Sequence, residues 1–131
     1  AIMAHNLFTL GHILELEKYL SIAKQMLVTL NPMVEKEPRY LAHWASLYLK
    51  FLNPQVEIAV VGKEYLQVSA KLHQQYLPNT MIQACEISSK LPLLAQKEAI
   101  NGKTTIYVCR NKTCQLPVHT VEEALKQVYS G

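Results

Sequence analysis

Residues 103–118 read KTTIYVCRNKTCQLPV, and the rest of the chain is organised around this stretch. Residues 104–109 are rich in β-branched and aromatic side chains, which predicts a strand that ends at Cys109. A polar four-residue segment follows and leads to a second cysteine, Cys114. The stretch therefore combines the last predicted strand with the best candidate for chemistry in this chain.

The second half of the chain reads as an α/β domain with a small parallel sheet. VEIAVV (56–61) carries apolar residues on both faces of the predicted strand, as a strand buried on both faces requires. TMIQAC (80–85) is a second strand, and helical patterns cover residues 63–76 and 120–129. Strands that alternate with helices predict right-handed parallel crossovers. The expected sheet has three parallel strands in the order two-one-three, with flanking helices and residues 56–61 in the centre.

The first half of the chain is predicted to be helical. Apolar residues recur at helical spacing in residues 2–14, 18–30 and 38–52. Pro32 is expected to end the second helix, because proline cannot continue the hydrogen-bond ladder. Asn53 and Pro54 stop the third helix. The sequence therefore predicts two parts, a helical segment at 1–53 and a small α/β domain at 54–131.

Composition and charge exclude several classes of protein. Of the 131 residues, 50% are hydrophobic and 18% are charged, the balance of an ordinary globular domain. The net charge of +3 comes from scattered basic residues, so we expect no nucleic-acid partner. No apolar run approaches the roughly 18 residues that a membrane span needs. Three cysteines are too few for a secreted disulfide scaffold, and we expect a cytoplasmic protein without a cofactor.

Cys109 and Cys114 are the candidate catalytic residues. The four residues between them can turn the chain so that the two Cα atoms come within disulfide range. The pair can then serve thiol redox chemistry. Together with His119, and with Cys85 as a fourth ligand, it can instead hold zinc, although the spacing fits no standard zinc motif. The third interpretation is two structural thiols without chemistry.

Three basic residues are expected to stabilise a thiolate at this site. If the third strand is parallel to the first, the loops that follow both strands are neighbours at one edge of the sheet. Lys63 lies in the first of these loops, and Arg110 and Lys112 lie in the second. Positive charge near a cysteine lowers the pKa of its thiol.

The helical half offers a second, weaker set of candidates. His5 and His12 are seven residues apart, so they share one face of a helix but lie roughly 10 Å apart, too far to share a metal ion. Trp44 lies in an aromatic stripe that resembles a sugar-binding platform. These three residues are candidates for substrate binding. The alternative interpretation is a polar helix face and an ordinary aromatic core.

Several segments together resemble the C-terminal end of the YyaL-like family, which includes the spermatogenesis-associated thioredoxin-like proteins. The segments are NLFTLGHI (6–13), KYLSIAKQML (18–27), VEIAVVG (56–62), QQYLPN (74–79) and NGKTTIYVCRNKTCQLPV (101–118). The resemblance covers nearly the whole chain, and the last segment is its most specific part. The chain departs from the family pattern at Lys112, where an aromatic residue is frequent.

The resemblance implies a much longer protein. Family members have an N-terminal thioredoxin-like domain and then a helical toroid similar to those of N-acylglucosamine 2-epimerases and six-hairpin glycosidases. It implies that residues 1–53 are the end of this α/α toroid and that the α/β part follows it. Of the family's candidate functional positions, only Cys109 and Cys114 match residues of this chain, and no settled activity accompanies the resemblance.

Three functions follow as hypotheses. The chain closes and caps the toroid and has a structural role, with the remaining domains of a longer chain as its partners. Alternatively, Cys109 and Cys114 carry thiol redox or metal chemistry, or His5, His12 and Trp44 contribute to a sugar or epimerase site. Whether the longer protein is a redox or carbohydrate-modifying enzyme is open. Because the first three helices are apolar on several faces, we also expect the chain to self-associate when it stands alone.

Overall fold

The computed structural model describes residues 1–130, and the chain divides into two compact units. We call residues 1–53 the helical unit and residues 54–131 the α/β unit. The helical unit consists of α1 (Ile2–Ile13), α2 (Glu17–Lys36) and α3 (Ala42–Leu52). Within the described residues, no helix combines the length and the apolar character that crossing a bilayer requires.

The helical unit has a small core to which all three helices contribute. Ala4 and Phe8 of α1 are buried with Ala23 of α2 and Leu47 of α3. Ala4 and Phe8 are four residues apart, so they lie on the same face of their helix. The ring of Phe8 meets the ring of Phe51 edge-on, with 4.9 Å between the centroids. One face of each helix is therefore buried.

The expected end of the second helix at Pro32 is wrong. The helix α2 continues through Pro32 to Lys36, although the proline cannot donate the usual backbone hydrogen bond. Val34 lies beyond the proline and is buried. Tertiary burial thus extends the helix past a residue that locally disfavours it, and α3 starts only at Ala42.

The α/β unit contains a four-stranded sheet and two helices. Its elements are β1 (Val56–Val61), α4 (Tyr65–His73), β2 (Thr80–Cys85), β3 (Thr105–Arg110), β4 (Thr113–Cys114) and α5 (Val121–Ser130). The strand order is β2-β1-β3-β4. The strands β1 and β2 are parallel, whereas β3 is antiparallel to β1 and β4 is antiparallel to β3. The expected three-stranded parallel sheet is therefore wrong: the sheet is mixed and has a fourth strand.

The direction of β3 follows from the segment that precedes it. A parallel β3 would need a crossover that returns along the whole sheet, usually through a helix. Residues 86–104 contain no α-helix, only a short 3₁₀ turn at Ile100–Gly102. The segment stays at the end of the sheet where β1 and β2 terminate, and Thr105 pairs with Val61 at the last position of β1. The strand then runs back antiparallel to β1.

Each face of the sheet is covered by a different part of the unit. On one face, Ile58 and Val60 of β1 pack with Leu72 of α4 and Ala124 of α5. On the other face, Ala59 and Val61 pack with Leu93 and Leu94 of the segment between β2 and β3. This two-sided burial explains why every residue of β1 except Glu57 is buried.

A tight turn joins β3 to β4. Asn111 and Lys112 at its centre have φ angles of 50° and 64°. Positive φ at both central residues defines the type I′ turn, whose twist matches that of a two-residue β-hairpin. Asparagine tolerates this conformation well. The turn places Cys114 directly opposite Cys109.

Candidate functional site

A disulfide joins Cys109 and Cys114 across the β3–β4 hairpin. Their Cα atoms lie 3.9 Å apart, which confirms the proximity predicted from the four-residue turn. The backbone N–H of Gln115 donates to the carbonyl oxygen of Val108, just outside the cysteine pair. The cysteines therefore occupy a non-hydrogen-bonded position, where side chains on antiparallel strands approach most closely.

The two halves of the disulfide differ strongly in exposure. Cys109 is only 1% exposed and packs on the sheet face that Leu93 and Leu94 cover. Cys114 lies on the short strand β4 and is exposed. An attacking reagent can therefore approach the bond from the side of Cys114. The third cysteine, Cys85, is free, and burial raises the pKa of its thiol.

The hairpin is tied to the end of α5 through side chains. The guanidinium group of Arg110 donates to the carbonyl oxygens of Gln127 and Val128. The side-chain amide of Gln127 donates in return to the carbonyl oxygen of Leu116, at 2.8 Å. A cation at a helix C-terminus is favourable, because the last carbonyl groups carry partial negative charge. These contacts hold β3 and the segment after β4 against the final helix.

Lys63 does not lie with Arg110 and Lys112 beside the disulfide. Because β3 is antiparallel to β1, Arg110 pairs with Val56 at the start of β1, whereas Lys63 follows the end of that strand. Five residue steps along a strand correspond to roughly 17 Å, so Lys63 lies near the opposite end of β1 from Arg110. Arg110 is engaged with α5, and Lys112 lies in the turn. The expectation that the two loops are neighbours is wrong.

The alternative zinc site is not formed either. The ring nitrogen Nδ1 of His119 lies 3.2 Å from the carbonyl oxygen of Thr104 and 3.4 Å from the hydroxyl of Thr105. Thr105 begins β3, four residues before Cys109, which places the imidazole roughly 13 Å from the disulfide. Cys85 lies at the end of β2. Among residues 1–130, no three His, Cys, Asp or Glu side chains are grouped so that they could hold a metal ion.

A cavity of about 480 Å³ lies where the parallel strands β1 and β2 end. Gly62 lies directly after β1 and allows the chain to turn at this end of the sheet, because its φ angle of 145° is accessible mainly to glycine. A Cβ atom at this position would lie 2.5 Å from the Cα atom of Thr104. The hydroxyl of Thr104 accepts a hydrogen bond from the backbone N–H of Glu64, at 3.0 Å. The close approach of Gly62 to Thr104 thus joins the start of α4 to the residue that precedes β3.

The chemistry of this cavity suits binding more than catalysis. In open α/β sheets, ligands bind beyond the carboxyl ends of the parallel strands. The described residues that line it include charges of both signs, such as Lys63 and Glu86, and the hydroxyl of Ser88, but no imidazole or thiol. The turn after β1 reads GKEY (62–65), so the Cys-x-x-Cys motif of thioredoxin-like βαβ units is missing here.

His5 has partners that its position on α1 did not reveal. Its ring stacks on the ring of His43, with 4.3 Å between the centroids. Its Nε2 donates to the carbonyl oxygen of His43 at 2.8 Å, and the hydroxyl of Ser46 donates to the same oxygen. Burial lowers the pKa of His5, the hydrogen bond to the backbone of His43 raises it, and the positive charge of Lys50 lowers it further. Burial in this contact thus disfavours the protonated form of the His5 imidazole.

His12 and Trp44 both pack against side chains of the helical unit. His12 packs edge-on against Phe8, with 4.6 Å between the ring centroids, and burial lowers its pKa. Trp44 packs against the core of the helical unit. The groove of about 340 Å³ between α2 and α3 is lined mainly by apolar side chains, and the residues that line it include none of the three. This groove is therefore not formed by the predicted sugar-binding set.

No protein-family model, curated protein or solved structure matches this chain. The function must therefore be argued from the chain itself.

Two features of the candidate sites were absent from the sequence prediction. The contact between Gly62 and Thr104 joins residues 42 positions apart, and only a glycine directly after a buried strand signalled it. The stacking of His5 on His43 joins two different helices, and no spacing rule within one helix predicts it. Both features depend on tertiary packing.

Proposed function

We propose that this chain is the C-terminal part of a YyaL-like protein and that its role is structural. The helical unit closes a helical toroid by packing against further helices, and the α/β unit caps it. The partners are then the remaining domains of the longer chain, in the cytoplasm, with no nucleic acid, membrane or cofactor involved. The resemblance of residues 101–118 to the YyaL-like pattern supports the proposed family. The apolar surface of the helical unit supports the proposed structural role.

The surface of the three helices carries the proposal. Large apolar side chains are exposed on each of them, among them Met3 on α1, Val28 on α2, and Leu49 and Leu52 on α3. Leu49 is 59% exposed and Leu52 is 61% exposed. Helices of a free-standing domain normally bury their apolar face and expose a polar one. Exposed apolar side chains on all three helices are typical of elements that pack against further helices.

The groove between α2 and α3 gives this surface a shape that fits a helix. Leu27 and Val28 line one side, and Phe51 and Leu52 line the other. Lys24 and Asn31 add polar groups. Side chains of one helix normally pack into such grooves on its neighbours. A further helix laid along α2 and α3 would cover the exposed side chains of both.

Polar substitution on α3 tests this role. We expect the 131-residue chain to associate at high micromolar concentration and to bind a hydrophobic dye. Leu49→Lys combined with Leu52→Lys should lower both signals several-fold, because the charges disrupt the apolar surface. Sedimentation velocity and dye fluorescence measure the two effects. Leu66→Lys on α4 is the control, since Leu66 is 64% exposed but lies in the α/β unit. Equal effects of the α3 and α4 variants would contradict the proposal.

A second candidate function is thiol–disulfide exchange at the hairpin, favoured by the unequal exposure of the disulfide. An external thiolate attacks the sulfur of Cys114, a mixed disulfide forms there, and the sulfur of Cys109 leaves as a thiolate. A second external thiolate can then release Cys114, which leaves a dithiol in the protein and one external disulfide. In a reducing cytoplasm the pair would be kept in this dithiol form.

Alkylation after mild reduction tests this candidate. We expect Cys114 to react at least about tenfold faster than Cys109, because Cys109 is buried. Mass spectrometry of the alkylated peptides, sampled over time, gives both rates. Cys85 is the internal control, since burial raises the pKa of its thiol and disfavours the reactive thiolate. Slow reaction of Cys114, at the rate of Cys85 or below, would leave the disulfide as a purely structural link.

A further inference from the structure

The outer edge of β2 has unpaired backbone groups. Val56 donates to the carbonyl oxygen of Asn79, and Gly62 donates to that of Cys85, so the odd-numbered residues of β2 face β1. Because backbone groups alternate in direction along a strand, those of Thr80, Ile82 and Ala84 point away from the sheet. Within residues 1–130, these three residues make no backbone hydrogen bond to any element outside the sheet.

The two edges of the sheet are protected very differently. Proteins normally guard an edge with charges, proline, a bulge or a very short strand. The β4 edge follows this rule, because the strand has only two residues. The β2 edge has six residues, TMIQAC, with no charge and no proline, and it pairs with β1 in unbroken register. This edge can therefore accept another strand.

We propose that β2 pairs antiparallel with β2 of a second copy of this chain, which joins the two sheets into one. An uncharged strand can meet its own copy without like-charge repulsion, whereas β4, with two residues, offers few backbone groups for a second ladder. A two-fold axis at Ile82 pairs Thr80 with Ala84 of the second copy and Ile82 with Ile82. The axis also generates the equivalent Ala84–Thr80 pair, and each of the three pairs exchanges two hydrogen bonds, about six in total. A slip by two residues would lose some of them.

Exposed side chains beyond both ends of β2 favour the same arrangement. Tyr76 precedes the strand and is 83% exposed, and Ile87 follows it and is 76% exposed. An antiparallel two-fold arrangement brings the Tyr76 end of one copy towards the Ile87 end of the other. The same contact occurs twice, as in every isologous interface. Burial of these side chains adds an apolar contribution to the backbone hydrogen bonds.

A cysteine on the two-fold axis tests the pairing directly. In a Cys85→Ser background, Ile82→Cys places two thiols opposite each other, with the Cα atoms about 5.5 Å apart, within disulfide range. We expect mild oxidation to convert most of the protein into a covalent dimer, seen on a non-reducing gel. Lys126→Cys in the same background is the control, because Lys126 is exposed on α5. It should give several-fold less dimer.

A second pair of variants tests the same contact without new cysteines. Thr80→Lys adds a charge to the β2 edge, and Thr113→Lys adds the same charge to the β4 edge. We expect Thr80→Lys to weaken dimerisation at least about tenfold in sedimentation equilibrium, and Thr113→Lys to leave it unchanged. Circular dichroism verifies that both variants fold.

The outcomes separate this proposal from association through the helical unit. If the Leu49→Lys, Leu52→Lys variant still forms the Ile82→Cys dimer, the β2 contact stands independently of the helices. If the Leu49→Lys, Leu52→Lys variant is monomeric, and if Ile82→Cys gives no more covalent dimer than Lys126→Cys, the β2 proposal is wrong. A chain that stays monomeric at high micromolar concentration would also overturn it.

Discussion

Gly62→Ala is expected to lower the free energy of unfolding of the α/β unit by about 3 kcal/mol. The φ angle of 145° is strained for any residue with a side chain. The new Cβ atom would also lie 2.5 Å from backbone and side-chain atoms of Thr104, so the entrance of β3 would have to move. Urea unfolding followed by circular dichroism measures the change.

Gly102→Ala is the matched control for this prediction. Gly102 also has a positive φ angle, 69°, but no atom lies within 4 Å of the position that a Cβ would occupy. Alanine there should cost only about 1 kcal/mol, from backbone strain alone. Equal costs at the two glycines would mean that the close approach of Gly62 to Thr104 does not determine the path of the chain into β3.

Leu47→Ala is expected to destabilise the helical unit by about 3 kcal/mol, because the substitution removes a fully buried side chain and leaves a cavity. Leu47 lies on α3 and packs with Phe8 and Ala23. Trp44 is the single tryptophan and packs against the same cluster, so its fluorescence during urea unfolding reports on this unit.

Leu49→Ala on the same helix provides the comparison. Leu49 is 59% exposed, and the substitution in the 131-residue chain should change the stability by no more than about 0.5 kcal/mol. A large effect of Leu49→Ala, or a small effect of Leu47→Ala, would mean that α3 presents a different face to the core. The two leucines therefore distinguish the buried face from the face that we propose is covered in a longer protein.

The inner position of β1 could be predicted, whereas the direction of β3 could not. Residues 56–61 are apolar on both faces, and only a strand with neighbours on both sides and cover on both faces buries such a pattern. Strand direction has no comparable signal in the strand itself. It depends on where residues 86–104 place the chain, and the contact of Gly62 with Thr104 keeps them at the edge where β1 ends.

The candidate sites divide in the same way. The proximity of Cys109 and Cys114 followed from a local turn, so it could be predicted from four intervening residues. The prediction that Lys63 lies beside them assumed that β3 is parallel to β1, and it is wrong because β3 is antiparallel. The partner of His5 lies on another helix, and packing between helices is not encoded in the periodicity of either one.

Hydrogen exchange of the helical unit tests the central claim most directly. The amides of α3 would be measured by mass spectrometry in the 131-residue chain and in the full-length protein, with those of β1 as the internal reference. If further helices cover α3, its amides should exchange at least about tenfold more slowly in the full-length protein, while those of β1 exchange equally in both. Equal exchange of α3 in the two proteins would contradict the proposal that the helical unit closes a larger helical array.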